Sequence, residues 1–222
     1  MNLLRCGDEC RASRAAARRE RLVEVARELF ADHGFHGTGV AQLAAVSGIK
    51  VGQIYRDFTD KEAIVAAIVE SDLATFLHEA DLNAAIAARN APAIRDWIHR
   101  FARCDGASRS RALMPEIIAE ASRNVRIASV AHAITHRVKT ALRTAISALA
   151  PHPHQQDARD NLADLILTIG AGLMHRRIAE PDFDEDAARI RLLRLVDRSI
   201  DELLASPASV RQKDYCSNVI YG

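Results

Sequence analysis

Apolar residues recur at spacings of three and four along nearly the whole chain, and no convincing run alternates apolar with polar residues. A half-buried strand needs a period of two, whereas an amphipathic helix needs 3.6. The pattern therefore predicts an all-α protein. With 222 residues the chain suits one large domain or two small ones, and it can bury a core without a disulfide or metal staple. Hydrophobic residues make up 49% and charged residues 27%, a balance that argues against disorder. No stretch approaches the roughly 20 apolar residues of a membrane span. The opening MNLLRCGDECRASR is charged too early for a secretory signal. Cys6, Cys10, Cys104 and Cys216 are too few for a disulfide framework, so a cytoplasmic location is expected. The formal net charge is +1, so any surface for nucleic acid has to be local.

The spacing predicts a first helix from about Arg14 to His33, with Leu22, Val25, Ala26, Leu29 and Phe30 on one stripe and Gly34 as a left-handed terminus. Residues 1–13 read as a flexible basic arm. A short helix over about Val40–Val46 is broken by Ser47-Gly48, and another covers Val51–Phe58. Thr59 and Glu62 have the spacing of a capping box, opening a helix that runs to about Asp81. Asn90-Ala91-Pro92 starts the next helix, which carries Ile94, Trp97, Ile98 and Phe101. Further helices are predicted over about Ser110–Arg123, interrupted or kinked near Pro115, and over Val125–Leu149, Gln156–Ala179 and Glu185–Ala205. The tail, 206–222, reads as loosely ordered. The organisation expected is a DNA-binding domain over 14–60 and a helical bundle over 61–205.

Two short helices joined by Ser47-Gly48-Ile49-Lys50 have the length and turn of a helix-turn-helix. Gly48 sits where the sharp turn needs a positive φ. Ile49, Ile54 and Phe58 face inward on this reading, and Lys50, Val51, Gly52, Gln53, Tyr55 and Arg56 face a major groove. Gln53 suits adenine, and Arg56 suits guanine or a phosphate. The Tyr55 hydroxyl and the Lys50 and Lys61 ammonium groups suit phosphate oxygens. Arg11, Arg14, Arg18, Arg19 and Arg21 line the arm and the first helix, and of these Arg18 and Arg19 are assigned to DNA. The alternative for the group is a solvated face balanced by Glu20 and Glu24.

The match is longer than a turn. Ala26, Leu29, Phe30, Gly34, Phe35, Val40, Leu43, Ala44, Gly48, Gly52, Tyr55, Phe58, Lys61 and Glu62 together make the first third of the chain resemble the DNA-binding domain of the TetR family of bacterial transcription regulators. The resemblance implies a fold of about nine helices, a three-helix helix-turn-helix domain followed by a helical ligand-binding and dimerisation bundle. It further implies a homodimer that acts as a repressor on a palindromic double-stranded DNA operator and is released by a small-molecule effector. Family contacts carry over to Val51, Gly52, Gln53, Tyr55, Arg56 and Lys61, and Thr38 and Gln42 complete the assigned DNA set. Gly39 departs from the family, many members having a hydroxyl residue there; either Thr38 caps in its place, or Gly39 is itself a weaker cap and one phosphate contact is missing.

Leu162, Leu165, Ile166, Ile169, Leu173, Ile190, Leu193, Val196 and Ile200 form stripes wide enough to serve a dimer interface as well as their own subunit. The effector pocket is assigned to Trp97, Phe101, Met114, Ile118, Ile134, His136 and Val138, apolar residues with a polar anchor. His132 and His136 have the spacing of two metal ligands on a helix, but no nearby third ligand completes a site, and no metal or cofactor is expected. G-x-S-x-G, G-x-x-x-x-G-K-[ST] and H-E-x-x-H are all absent, so an enzyme is not expected. The alternatives are an effector-independent DNA-binding protein of the same fold or, less favoured, a helical carrier or enzyme.

Overall fold

Strong helix formers such as Ala, Leu, Arg and Glu fill the chain, and a computed structural model resolves their consequence over residues 3–103 and 108–205. Side chains are described over 12–101 and 113–205. The described residues form α1 (Leu3–Gly37), α2 (Val40–Ser47), α3 (Val51–Asp57), α4 (Lys61–Leu77), α5 (Glu79–Ala87), α6 (Ala91–Arg103), α7 (Ser108–Ala121), α8 (Val125–Leu149), α9 (Gln156–Ala179) and α10 (Glu185–Ala205), with a 3-10 turn at Pro153–Gln155. There is no strand among them, as the periodicity predicts. The tail over 206–222, residues 104–107 and the side chains of Cys6, Cys10 and Arg11 lie outside the described residues.

Four local expectations change. α1 begins at Leu3, not near Arg14, so the stretch read as a flexible arm is helical from Leu3. The cap of α4 is Asp60, whose Oδ1 accepts from the Ala63 amide at 2.8 Å, while the Thr59 hydroxyl donates to Asp60 Oδ2 at 3.0 Å. Glu62 is then one residue too close to complete a capping box. α4 stops at Leu77, because His78 is left-handed (φ 45°, ψ 49°), and α5 follows as a helix of its own. α7 runs on through Pro115. At α6 the expected start holds, with Asn90 Oδ1 accepting from the Ala93 amide at 3.1 Å.

The chain forms two compact units. The first comprises residues 1–78 and 106–138. α1 packs against α2, α4 and α7, and α2 against α3. Its core joins Leu22, Ala26, Phe30, Leu43, Ile54, Ile64 and Ile68 to Leu113 and Ile117 of α7 and Ile127 of α8. Gly34 breaks α1 near its end with φ 73° and ψ 171°, a conformation open essentially to glycine alone. It is not the left-handed helical geometry expected there.

The second unit comprises residues 79–105 and 139–222. Within it α6 packs against α5, α9 and α10, and α9 against α10. Ile94, Trp97, Ile98 and Phe101 are buried along α6, with the Trp97 and Phe101 rings edge to face at 5.0 Å. Lys139–Asp164 and Arg143–Asp160 pair α8 with α9 at 2.7 and 2.6 Å. No helix among the described residues is long and apolar enough to cross a membrane.

Candidate nucleic-acid interface

The turn between α2 and α3 is built as its sequence requires. Gly48 has φ 71° and ψ 14°, and its amide donates to the Ala44 carbonyl at 3.0 Å. The buried Ser47 Oγ accepts from the Ile49 amide at 3.2 Å, which closes the corner. Ile49, Ile54 and Phe58 are buried, as expected. Val51 and Tyr55 are 41% and 55% exposed. Lys50, Gly52 and Arg56 are exposed beside them, and Gln53 and Gln42 are half-buried. A side chain at Gly52 would meet nothing within 4 Å. α3 thus divides cleanly into an anchoring face and an open one.

Several residues assigned to DNA are engaged within the domain. Thr38 is fully buried, and its hydroxyl lies 3.0 Å from both the Leu29 and Gly34 carbonyls. It does not cap α2. Gly39 is the N-cap of α2, with no side-chain cap bond. Lys61 Nζ donates to the Phe35 carbonyl at 2.6 Å and the Thr38 carbonyl at 3.2 Å, and lies 4.0 Å from the Phe35 ring centroid. Burial pulls the Lys61 ammonium below the usual lysine pKa, with Glu62 and Glu120 opposing. Around the break at Gly34, Thr38 and Lys61 donate to the carbonyls of Leu29, Gly34, Phe35 and Thr38, the kind of pairing that buried backbone acceptors require.

Arg18 and Arg19 are similarly committed. Arg18 makes a two-pronged contact with Asp57, Nε to Oδ2 at 2.6 Å and NH2 to Oδ1 at 2.8 Å. Arg19 donates to the Asp57 carbonyl and stacks over the Phe58 ring at 4.1 Å. Together they bind α1 to the end of α3. The Arg18 hydrogen bonds hold the Asp57 carboxyl below the usual carboxylate range, with the charges of Arg18, Arg19 and Arg56 adding to the effect. Arg56 folds its Nε back to the Gly52 carbonyl at 3.2 Å.

Sequence reasoning missed the acidic side of this bracing. Glu116 Oε2 accepts from the Phe35 amide at 3.3 Å. The buried Glu120 meets His36 Nε2 at 2.7 Å and Arg123 Nε at 2.8 Å. The available signal was spacing: Leu113, Ile117 and Glu120 are buried along one side of α7, with the exposed Glu116 at its edge. Glu62 and Asp60 tie α4 to the α7–α8 corner through Asn124 at 3.1 Å and Arg126 at 2.6 Å.

Residues 22–68, from the buried Leu22 of α1 to the middle of α4, match the family model of bacterial regulatory proteins of the tetR family. The HTH-type transcriptional regulator UidR of Escherichia coli K12 is 30% identical over 122 residues, covering 50% of this chain and 56% of UidR. The HTH-type transcriptional repressor AcnR of Corynebacterium diphtheriae is 39% identical over 57 residues, 26% of this chain and 30% of AcnR. The chain therefore spans about half the length, or less, of these curated relatives. In three dimensions, Salmonella enterica GusR matches 86% of this chain and 96% of its own at 21% identity, with a TM-score of 0.60. A TetR transcription regulator from Haloarcula marismortui matches 84% of this chain and 97% of its own at 14% identity, with a TM-score of 0.63. At these identities the structures speak to the fold alone. The segment over residues 22–68 is that of a tetR-family regulatory protein.

The other assigned residues fall in both units. Of the effector-pocket set, Trp97 and Phe101 are core residues of the second unit, while Met114, Ile118, Ile134, His136 and Val138 belong to the first. Ile118 is 55% exposed and His136 is exposed, so neither lines an enclosed site within that unit. An apolar void of about 10 Å³ in the first unit is lined by Phe35, Val65, Leu113, Glu116, Ile117, Glu120 and Ile127, none of them in the expected set. It has room for about one water. Of the dimer set, Leu162, Ile166, Leu173, Val196 and Ile200 are buried within their own subunit and unavailable to a partner. Leu165 and Ile190 are exposed, and Ile169 and Leu193 half-buried. His132 and His136 are exposed with ring centroids 6.4 Å apart, and no group of three metal-ligating side chains occurs among the described residues.

Proposed function

We propose that this chain is a homodimeric, sequence-specific DNA-binding transcriptional regulator that represses from a palindromic operator and is released by a small-molecule effector. The observation that carries the reading is α3, whose apolar side is buried while Val51, Gly52, Tyr55 and Arg56 stand open. A helix so divided suits a major groove. The Gln53 amide matches adenine, the Arg56 NH groups not spent on Gly52 match guanine, and the Val51 methyls suit a thymine methyl. The Tyr55 hydroxyl suits a phosphate oxygen, which sets register without reading sequence.

A seven-residue helix reads few bases. A second copy one DNA turn away, ~34 Å, doubles the site and makes it palindromic. Leu165, Ile169, Ile190 and Leu193 support such a dimer, because they leave apolar surface on α9 and α10 beyond what their own subunit covers. Relatives named as a transcriptional regulator and a transcriptional repressor support the regulatory reading. Effector release rests on the family, and works by preferential binding to the arrangement that cannot hold both half-sites. A chromosomal target implies a cytoplasmic protein, whose cysteines stay reduced.

The test is fluorescence anisotropy on labelled DNA from the gene's own upstream region, with scrambled DNA as control. Tight, selective, salt-sensitive binding is expected. Equal binding to both duplexes, followed by genome-wide site selection that enriches no sequence, would overturn the reading.

A further inference from the structure

We propose that Arg21 is a DNA-phosphate contact of this interface, working with Lys50 across the Gly48 turn where Arg18, Arg19 and Lys61 are engaged within the domain. The inference rests on the DNA-binding reading above and adds a residue on α1 to it.

Three of the cations around the two short helices are already spent. Arg18 is engaged by the Asp57 carboxylate, Arg19 by the Asp57 carbonyl and the Phe58 ring, and Lys61 by two carbonyls and the Phe35 ring. Each stabilises the domain, and moving it to a phosphate would break that bracing. Arg21 differs. It is exposed, and no hydrogen bond or ion pair engages its guanidinium among the described residues. Its NH2 lies 4.0 Å from the point where a side chain on Gly48 would begin. Gly48 is itself exposed and has no side chain to cover the guanidinium. The group therefore stands over the turn that delivers α3. Lys50, two residues on at the N-cap of α3, is likewise exposed and unengaged among the described residues.

Its acidic neighbours do not remove this charge. Glu24, three residues on, is occupied by Arg27, and Glu20 is exposed and makes no ion pair among the described residues. A planar guanidinium offers phosphate a rigid fork of donors. Placed beside the turn, Arg21 and Lys50 would grip the backbone next to the point where α3 enters the groove, fixing depth and register. Such contacts carry no sequence information, so Arg21 is assigned to affinity and positioning.

The experiment measures DNA affinity by anisotropy across a salt series for the wild type, Arg21→Gln, Arg21→Lys and Arg18→Gln, with thermal melts of each. A phosphate contact contributes about 0.9 to the slope of log K against log salt. Arg21→Gln is expected to lower that slope by about 0.9 per protomer, to weaken selected and scrambled duplexes by the same factor, and to melt like the wild type. Arg21→Lys should keep the slope. Arg18→Gln should lower the melting temperature and leave the slope of its folded fraction unchanged. A wild-type slope in folded Arg21→Gln overturns the proposal, as does a loss confined to the selected duplex. A wild type that binds neither duplex overturns the DNA-binding reading first, and this inference with it.

Discussion

Lys61 shows how far a residue's chemistry can be from its assignment. The resemblance places its ammonium on DNA, yet two of its donors serve carbonyls at the end of α1. Lys61→Met should therefore act on stability, by about 1–3 kcal/mol for the acceptors it strands, as read by urea denaturation. Thr38→Val should cost a similar amount for the same reason, without altering the salt dependence of DNA binding. Protonation acts at this scale too. Arg18 holds Asp57 below the ordinary carboxylate range, and Arg123, with His36, does the same for Glu120 against its burial. Carboxyls depressed in the folded state stabilise it fully above their unfolded value, about 4. That stability is lost as pH falls through the folded value, because the unfolded chain takes up protons first. Melting temperature should drop below pH ~4, and Asp57→Asn should lower the melting temperature at about pH 7 while shrinking the difference between about pH 7 and about pH 3.

The two strained glycines separate at the level of elements. Gly48 is left-handed with only Arg21 near its missing side chain, whereas Gly34 adopts a conformation closed to other residues and would set a methyl 3.1 Å from Glu116. Gly48→Ala should cost about 1 kcal/mol. Gly34→Ala should cost more, up to about 3 kcal/mol from the backbone alone, and should disturb the α1–α7 contact through Glu116. Denaturation of both variants would rank them. The same elements show what a sequence can disclose. α8, α9 and α10 are legible to the residue because polar or proline-bearing connectors punctuate them. The buried side of α3 is legible because it follows the helical period. The α4–α5 break is not, since His78 takes a left-handed conformation with no glycine to announce it. The bracing is not legible either. Asp57 finds Arg18 across 39 residues and Glu116 finds Phe35 across 81, and no local pattern encodes such partners.

For the whole molecule, the apolar residues left open on α9 and α10 predict association. Leu165→Glu with Ile190→Arg should shift the protein to monomer in light scattering and weaken DNA binding without lowering helix content. Ile166 and Val196, close by in sequence, have no such part to play, because both are fully buried within the subunit. The first unit is closed by two separate stretches of chain. Leu113, Ile117 and Ile127 lie inside the same core as Leu22 and Phe30. A gene fragment ending at residue 78 would express a reading head with one wall missing, its apolar interior open to water. This head cannot be grafted onto another sensor as a simple N-terminal cassette. A chimera is expected to keep the first unit's core closed only if it carries residues 106–138 as well, because that unit is interleaved along the chain and not laid end to end with the second.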